Sequence, residues 1–498
     1  MKILKVTMNY TMWLLALLFL TCSGARAQDK VVWNPVGSFG GGGNDGSGAG
    51  KNDARGNIYM TGYFSDTATF GNKVLVSYGA SDAYLAKFGR QGKLEWIVQM
   101  GGTAADEGTD VAFDSKGNVY VVGWFINSAT FQSANGEITT VTGYINENIF
   151  LAKYSPAGLL LWLRTGGNPV TYDGNQRAWG VTLNPKTGSI YLTGFAEGTT
   201  LFSTTTGPNQ PVAGPDPWHW YLVKYDTQGN FHWGVTDSGE PNSIGYKVAL
   251  DQQENVYSVG WFDGYTTFGS MDGKSQTITP FGGEDGFLAK YDSNGNLKWV
   301  NHLGSNLAYS TNLAVSDLGI ISMTGEVEDE TIVSSLPPGT DIDLGGGYGN
   351  WDVFTASYDP SGVLKNANRI GGPNLDFGSG IAYDPHGNMY LTGYFSGLVD
   401  FGGITLNGSE PNNVFVAKYG PGGAAVWAVA APGAGDPNAW QEWGARVWLE
   451  GWMSPNGQFQ TSKQVIVSGP YAGTATFGDY QYSSTGGDNV YLMKLNQE

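Results

Sequence analysis

Residues Asp114 to Phe125, DSKGNVYVVGWF, decide the fold. An Asp-x-x-Gly-Asn turn leads into an alternating apolar strand that ends in glycine and an aromatic pair. Gly and Asn accept the positive φ that tight turns require, and alternation with a period of two is the mark of a strand. Aligned on Gly123, the pattern recurs at Gly62, Gly194, Gly260, Gly325, Gly393 and Gly469. The intervals run from 61 to 76 residues. A self-similarity of that period belongs to a repeat architecture rather than to several unrelated domains.

Each copy carries four strand signals. In the second they are TDVAFD (109–114), NVYVVGWF (118–125), IFLAKY (149–154) and LLLWL (159–163), with a looser Ala129-Thr130-Phe131 segment after the second strand. Short strands joined by Gly-Asn turns are hairpins. Repeated seven times, they predict an all-β chain: a single seven-bladed β-propeller with four antiparallel strands per blade. The last copy stops after its third strand, VYLMKL (490–495), whereas the chain opens with Lys30-Val31-Val32-Trp33, a fourth strand without the other three. The N-terminal strand is therefore expected to close the last blade and leave no open edge.

Before that strand lies an export signal. Lys2 and Lys5 precede the apolar run MWLLALLFL (12–20), and Ala25-Arg26-Ala27 fits a small-x-small cleavage site. The run is too short to span a bilayer. The expected organisation is residues 1–27 as signal peptide and 28–498 as propeller, in an exported protein that is extracellular, periplasmic or at the cell surface. The single cysteine, Cys22, falls in the signal and excludes a disulfide framework in the mature chain. The net charge is −18 for the full chain and −21 once Lys2, Lys5 and Arg26 are removed. Nucleic acid and anionic membrane need a basic footprint and are excluded as partners.

The repeated residues read as structure. Phe70, Phe131, Phe202, Phe268, Phe401 and Phe477 follow the second strand, with Leu344 in that place in the fifth copy. Trp96, Trp162, Trp233, Trp299 and Trp427 mark the fourth strand, to which Trp33 would belong in the last copy. Lys87, Lys153, Lys224, Lys290, Lys418 and Lys494 mark the third, and the fifth copy has Ser357 instead. A lysine in that setting packs its stem along the sheet and pairs with a nearby acid such as Asp114. Asp292-Ser293-Asn294-Gly295-Asn296 begins like a calcium loop but lacks the bidentate Glu at position twelve. The four histidines have no zinc spacing, and no nucleophile elbow or phosphate loop occurs. No catalytic residue, metal site or cofactor is expected.

These copies resemble the bacterial seven-bladed β-propeller repeat family known as SBBP repeats, through Gly117-Asn118-Val119-Tyr120 with Gly123, Ala129-Thr130-Phe131, and Phe287-Leu288-Ala289-Lys290-Tyr291 followed by Gly295 and Trp299. The resemblance implies the propeller fold and a secreted or surface protein, and is weak for function.

Function is then sought where the repeat is irregular. The loops joining the second to the third strand, and one copy to the next, are the long ones and share one face. They carry Arg177, Trp179, Asp216 and Trp218-His219-Trp220 in the third copy, acids from Glu326 to Asp343 in the fifth, and Trp440, Glu442 and Trp443 in the last. Trp218, His219, Trp220, Trp440 and Trp443 are the expected ligand-binding residues, because indole rings beside polar groups stack on sugars. The expected function is a non-catalytic binding or structural module, a monomer whose partner is an extracellular glycan or another protein. The alternative is a propeller-fold enzyme, a polysaccharide lyase or hydrolase or a quinoprotein-like dehydrogenase.

Overall fold

The computed structural model describes residues 31–169, 174–215, 217–239, 242–347, 349–433, 445–453, 459–484 and 486–497. Every regular element among them is a β-strand. The expected unit is present in the second copy as Asp106–Phe113, Val119–Gln132, Ile138–Tyr154 and Leu160–Gly167, each antiparallel to the next. The same four-stranded order recurs along the chain, giving an all-β, propeller-like fold. The turn inside each unit follows the residues that predicted it. In the second copy the Asp114 carboxylate accepts the N–H groups of Lys116 and Asn118, both at 2.9 Å, and Gly117 takes φ 81°.

The last unit draws on both ends of the chain. Arg446–Met453, Phe459–Tyr471 and Asn489–Gln497 pair in order, and Val31–Gly41 pairs antiparallel with Asn489–Gln497. One register differs from expectation. Asn34, not Trp33, lies opposite Lys494, and Trp33 lies opposite Leu495. Trp33 thus takes the place of Phe231, which pairs with Tyr225 in the third copy, and it packs on Phe477 at 5.2 Å.

The Thr-Phe segment is more than a loose connection. It is half of a short hairpin that adds to the outer strand of the preceding unit: Thr67–Phe70 on Gly40–Gly41, Thr199–Phe202 on Gly166–Gly167, and Thr266–Gly269 on Asp237–Gly239. Hydrogen bonding therefore runs across unit boundaries, and the sheets contain six, ten, six, ten, four and two strands rather than four each. The buried phenylalanine of the hairpin anchors this junction. In the fifth copy Val333, opposite Leu303 and fully buried, fills the phenylalanine place, and Leu344 does not.

A second junction is built by the repeated lysine and tryptophan. Lys153 Nζ and Trp162 Nε1 both donate to the Thr227 carbonyl in the next unit's turn, at 2.9 and 3.1 Å. Lys87 and Trp96 hold Pro156 O, Lys224 and Trp233 hold Ser293 O, and Lys290 and Trp299 hold Pro360 O in the same way. Lys494 in the last unit donates to Arg90 O in the first unit's turn at 3.0 Å. The expected acid is a secondary partner, with Asp114 at 3.5 Å from Lys153. The calcium-like loop is a turn of the same type, in which Asp292 accepts the N–H groups of Asn294 and Asn296 and the Asn296 side chain.

Candidate functional site: an axial cavity lined by the innermost strands

The first strand of each unit is the innermost. In the first six copies it carries a bulge at the same place, between Ser47 and Ala49, Gly108 and Asp110, Ala178 and Gly180, Gly245 and Lys247, Ser310 and Asn312, and Gly378 and Gly380. A bulge re-aims the side chains beside it. Here it turns Lys247 and Asn312 towards a common cavity, with Asp110 buried behind Lys247, and leaves glycine where space is short. A Cβ on Gly48 would stand 2.3 Å from Gly108 O.

Side chains stitch these strands together across the unit boundaries. Thr109 Oγ1 donates to Ala178 O (2.7 Å), Thr311 Oγ1 to Gly378 O (2.9 Å), and Ser379 Oγ to Ala445 O (2.7 Å). Arg446 Nε then returns to Gly48 O at 3.1 Å, and its Nη1 reaches Ser379 O at 2.9 Å.

At the centre is a charge cluster. Asp110, with no exposed side-chain surface, lies 3.0 Å from Lys51 Nζ and 2.8 Å from Lys247 Nζ, and accepts the Val181 N–H at 3.0 Å. Burial alone would push its carboxyl up, but the ammonium groups of Lys247 and Lys51 and these hydrogen bonds bring it down to about 2. Lys247 moves the other way. Burial and the nearby cations Lys51 and Arg446 outweigh Asp110 and lower its ammonium to about 8. A cavity of about 330 Å³ opens beside them, lined among others by Lys51, Thr182, Lys247, Asn312, Tyr383 and Arg446. On the opposite side the cleft narrows between Glu107, Thr109, Trp179, Tyr246 and Thr311. Three cations and two carboxylates leave a surplus positive charge at the axis of a strongly acidic chain.

The expected binding residues have other surroundings. Trp220 is fully buried against Phe268, Phe287 and Tyr291, donates to Ser258 Oγ at 3.0 Å, and fits over Gly245. It is core, and no face is left for a sugar. His219 is also fully buried, with Nδ1 2.8 Å from Pro215 O. Trp218 is half-buried, packs on Phe195 at 5.3 Å and donates to Glu197 at 2.6 Å. Arg177 forms a two-pronged pair with Glu147, at 2.7 and 2.6 Å, and lies 4.4 Å over Trp124. Asp216, Trp440, Glu442 and Trp443 lie outside the described residues. In the fifth copy Glu326 is buried and its carboxyl is raised by desolvation, while Asp341 accepts Ser335 N within the long loop. Asp110, Lys247 and Arg446 were absent from the sequence reading, and Lys51 entered it only as the end of Gly46–Lys51, a phosphate-loop look-alike rejected on its spacing. They share no position in their weakly marked strands: Lys51 lies six residues past the start of Asp45–Asn52, Asp110 and Lys247 four past the starts of Asp106–Phe113 and Ser243–Leu250, and Arg446 opens Arg446–Met453.

Comparison with known proteins agrees with the repeat. Residues 95–124 match the family model described as SBBP, beta-propeller repeat, as the motif reading expected. An uncharacterized WD repeat-containing protein of Acanthamoeba polyphaga mimivirus is 24% identical, over 73% of this chain and 30% of that protein, so the chain spans less than a third of its length. Among solved structures, the Pan2 WD40 domain of Neurospora crassa is 12% identical, covering 61% of this chain and 92% of that one, with a TM-score of 0.21. The chain is a β-propeller repeat protein. Among the described residues no helix is long and apolar enough to cross a membrane.

Proposed function

We propose that residues 28–498 form one seven-bladed propeller, exported behind the signal at 1–27, that acts as a monomeric, non-catalytic binding module for an acidic glycan outside the cytoplasm or at the cell surface. The blade count rests on the seven four-stranded units, the short hairpins being additions to neighbouring edges. Closure is supported by the pairing of Val31–Gly41 with Asn489–Gln497 and by the contacts from Arg446 to Gly48 and Lys494 to Arg90.

One observation carries the ligand class: a surplus of cations lines the axial cavity of a protein whose net charge is −18. A carboxylate gains most from ammonium groups already drawn partly out of water. The volume is at the lower end of that of small-ligand pockets, and Thr182 and Asn312 add hydrogen-bonding groups suited to hydroxyls. Asp110 remains ionised at neutral pH and serves as a fixed counter-ion rather than a proton donor, which favours binding over catalysis.

The test is an array of uronate-bearing and neutral glycans with the mature protein and Lys51→Met, run beside a polysaccharide-degradation assay. Acid-selective binding, weakened at least tenfold in the variant with little change in melting temperature, is expected. Equal binding of neutral glycans, or capture of a protein ligand alone, overturns the glycan reading. Turnover of a polysaccharide establishes the enzyme alternative.

A further inference from the structure

Three repeated residues are replaced together at one boundary. In four neighbouring copies, facing positions on the second, third and fourth strands read Tyr-Lys-Trp: Tyr59, Lys87, Trp96; Tyr120, Lys153, Trp162; Tyr191, Lys224, Trp233; Tyr257, Lys290, Trp299. In the fifth they read Ser322, Ser357 and Asn366. The equivalence is geometric as well as sequential. At three of those boundaries the turn glycine of the following unit rests on the indole, Gly158 on Trp96, Gly295 on Trp233 and Gly362 on Trp299, whereas Gly423 rests on Asn366.

The lost volume is not refilled. A concavity of about 210 Å³ lies between the fifth and sixth units. Leu318, Ile320 and Met389 line it with apolar surface, and Ser357, Asn366 and the turn 420–423 line it with polar groups. Ser322 Oγ sits 2.5 Å from Ser357 Oγ and 2.6 Å from Tyr383 Oη, so the small hydroxyls bond to one another. Tyr419, only 4% exposed, also lines the space, and its hydroxyl has no hydrogen-bond partner among the described residues.

We propose that this pocket binds a small planar aromatic ligand bearing a ring N–H, of the indole class. The mould is the protein's own. At four boundaries an indole fills this position and its N–H reaches a turn carbonyl at 3.1 to 3.3 Å. The corresponding carbonyl here is that of Pro421, in the turn that follows Tyr419. With Ser357 in place of lysine, the carbonyl has lost both of its repeat donors. An apolar cavity of about 150 Å³ admits benzene, so this one has room for a bicyclic ring.

The experiment is calorimetric and NMR titration of the mature protein with indole, and with indene, which has the same shape without the N–H. Indole should bind saturably at one site, and indene at least fivefold more weakly. Asn366→Trp, which restores the repeat residue, should abolish indole binding and raise the melting temperature. Ser322→Tyr fills the pocket from its other wall and should also block indole, so it decides the matter if Asn366→Trp does not fold. Absence of saturable indole binding, equal binding of indene, or indole binding retained in a folded filled variant overturns the proposal. The site shares Tyr383 with the axial cavity but not Lys51, and Lys51→Met should leave indole binding unchanged.

Discussion

Lys153 Nζ and Trp162 Nε1 donate to one and the same oxygen, the Thr227 carbonyl of the following unit, at 2.9 and 3.1 Å. The ammonium also lies 5.0 Å over the Tyr120 ring. Two donors on one acceptor should be energetically coupled. Lys153→Met and Trp162→Phe are each expected to cost about 1–3 kcal/mol, since a hydrogen bond to a partly buried carbonyl is lost. The double variant should depart from additivity by at least about 0.5 kcal/mol. Urea unfolding of the four proteins measures this, and strict additivity would show that the shared carbonyl has no energetic meaning.

Buried carboxyls make stability depend on pH. Asp45, Asp106, Asp237 and Asp376 are raised to about 7 and Asp285 to about 6, by burial that outweighs the hydrogen bonds they accept. Their folded values exceed the unfolded value of about 3.9, so their contribution is complete below about pH 4 and is lost as pH rises through 6 to 7. Asp110, Asp292 and Asp359, all lowered, act in the opposite sense only near and below pH 4. The melting temperature should therefore be higher at pH 5 than at pH 8, and Asp106→Asn should reduce the difference. A higher value at pH 8 would contradict the assignment.

Trp220 and Trp218 should separate cleanly. Trp220→Ala empties a fully enclosed site and should cost about 3–5 kcal/mol. Trp218→Ala removes a half-buried ring and one bond to Glu197, and should cost less than half as much. Thermal melts distinguish the two. Equal losses would mean that Trp218 is as deeply integrated as its neighbour.

The closing strand should be indispensable. Deleting Val31–Gly41 strips the outer partner from Asn489–Gln497 and the support from the Thr67–Phe70 hairpin. An unpaired edge invites association with other chains. Light scattering should detect aggregation at temperatures where the intact protein stays monomeric, and an unaltered melting curve would remove the case for closure.

Anion binding at the axis should weaken with rising pH. Lys247 loses its proton near pH 8, because burial and the adjacent cations Lys51 and Arg446 lower its ammonium. Affinity for an acidic glycan should fall several-fold from pH 7 to pH 9, and Lys247→Arg should flatten the profile, because a guanidinium stays charged. A flat profile in the unaltered protein would place the ligand elsewhere.

What the sequence disclosed was local. Asp-x-x-Gly-Asn turns, the alternating strands and the seven glycines follow from short-range stereochemistry and are legible in a line of text. The terminal strand was legible too, because one copy lacked what the N-terminus supplied. Register was not: Trp33 looks like Trp96 in composition, yet pairs one position away from where Trp96 does. The axial cluster was also hidden. Lys51, Asp110, Lys247 and Arg446 come together from four distant strands, Asp110 and Lys247 at bulges, and no spacing in the chain announces that meeting. Prominent tryptophans drew attention instead, although Trp220 serves only the interior.

The pairing of Val31–Gly41 with the end of the chain fixes a time order as well as a shape. Ser38 Oγ and Tyr471 Oη, 2.7 Å apart, are separated by 433 residues of sequence. A ribosome adding ~5–20 residues per second needs tens of seconds to make the second partner after the first. During that interval the opening strand is already synthesised and has the Thr67–Phe70 hairpin at its end but not its full-length partner. The sheet closes only after Asn489–Gln497 has been made, so whatever holds the first strand meanwhile governs whether it waits or pairs with the wrong chain.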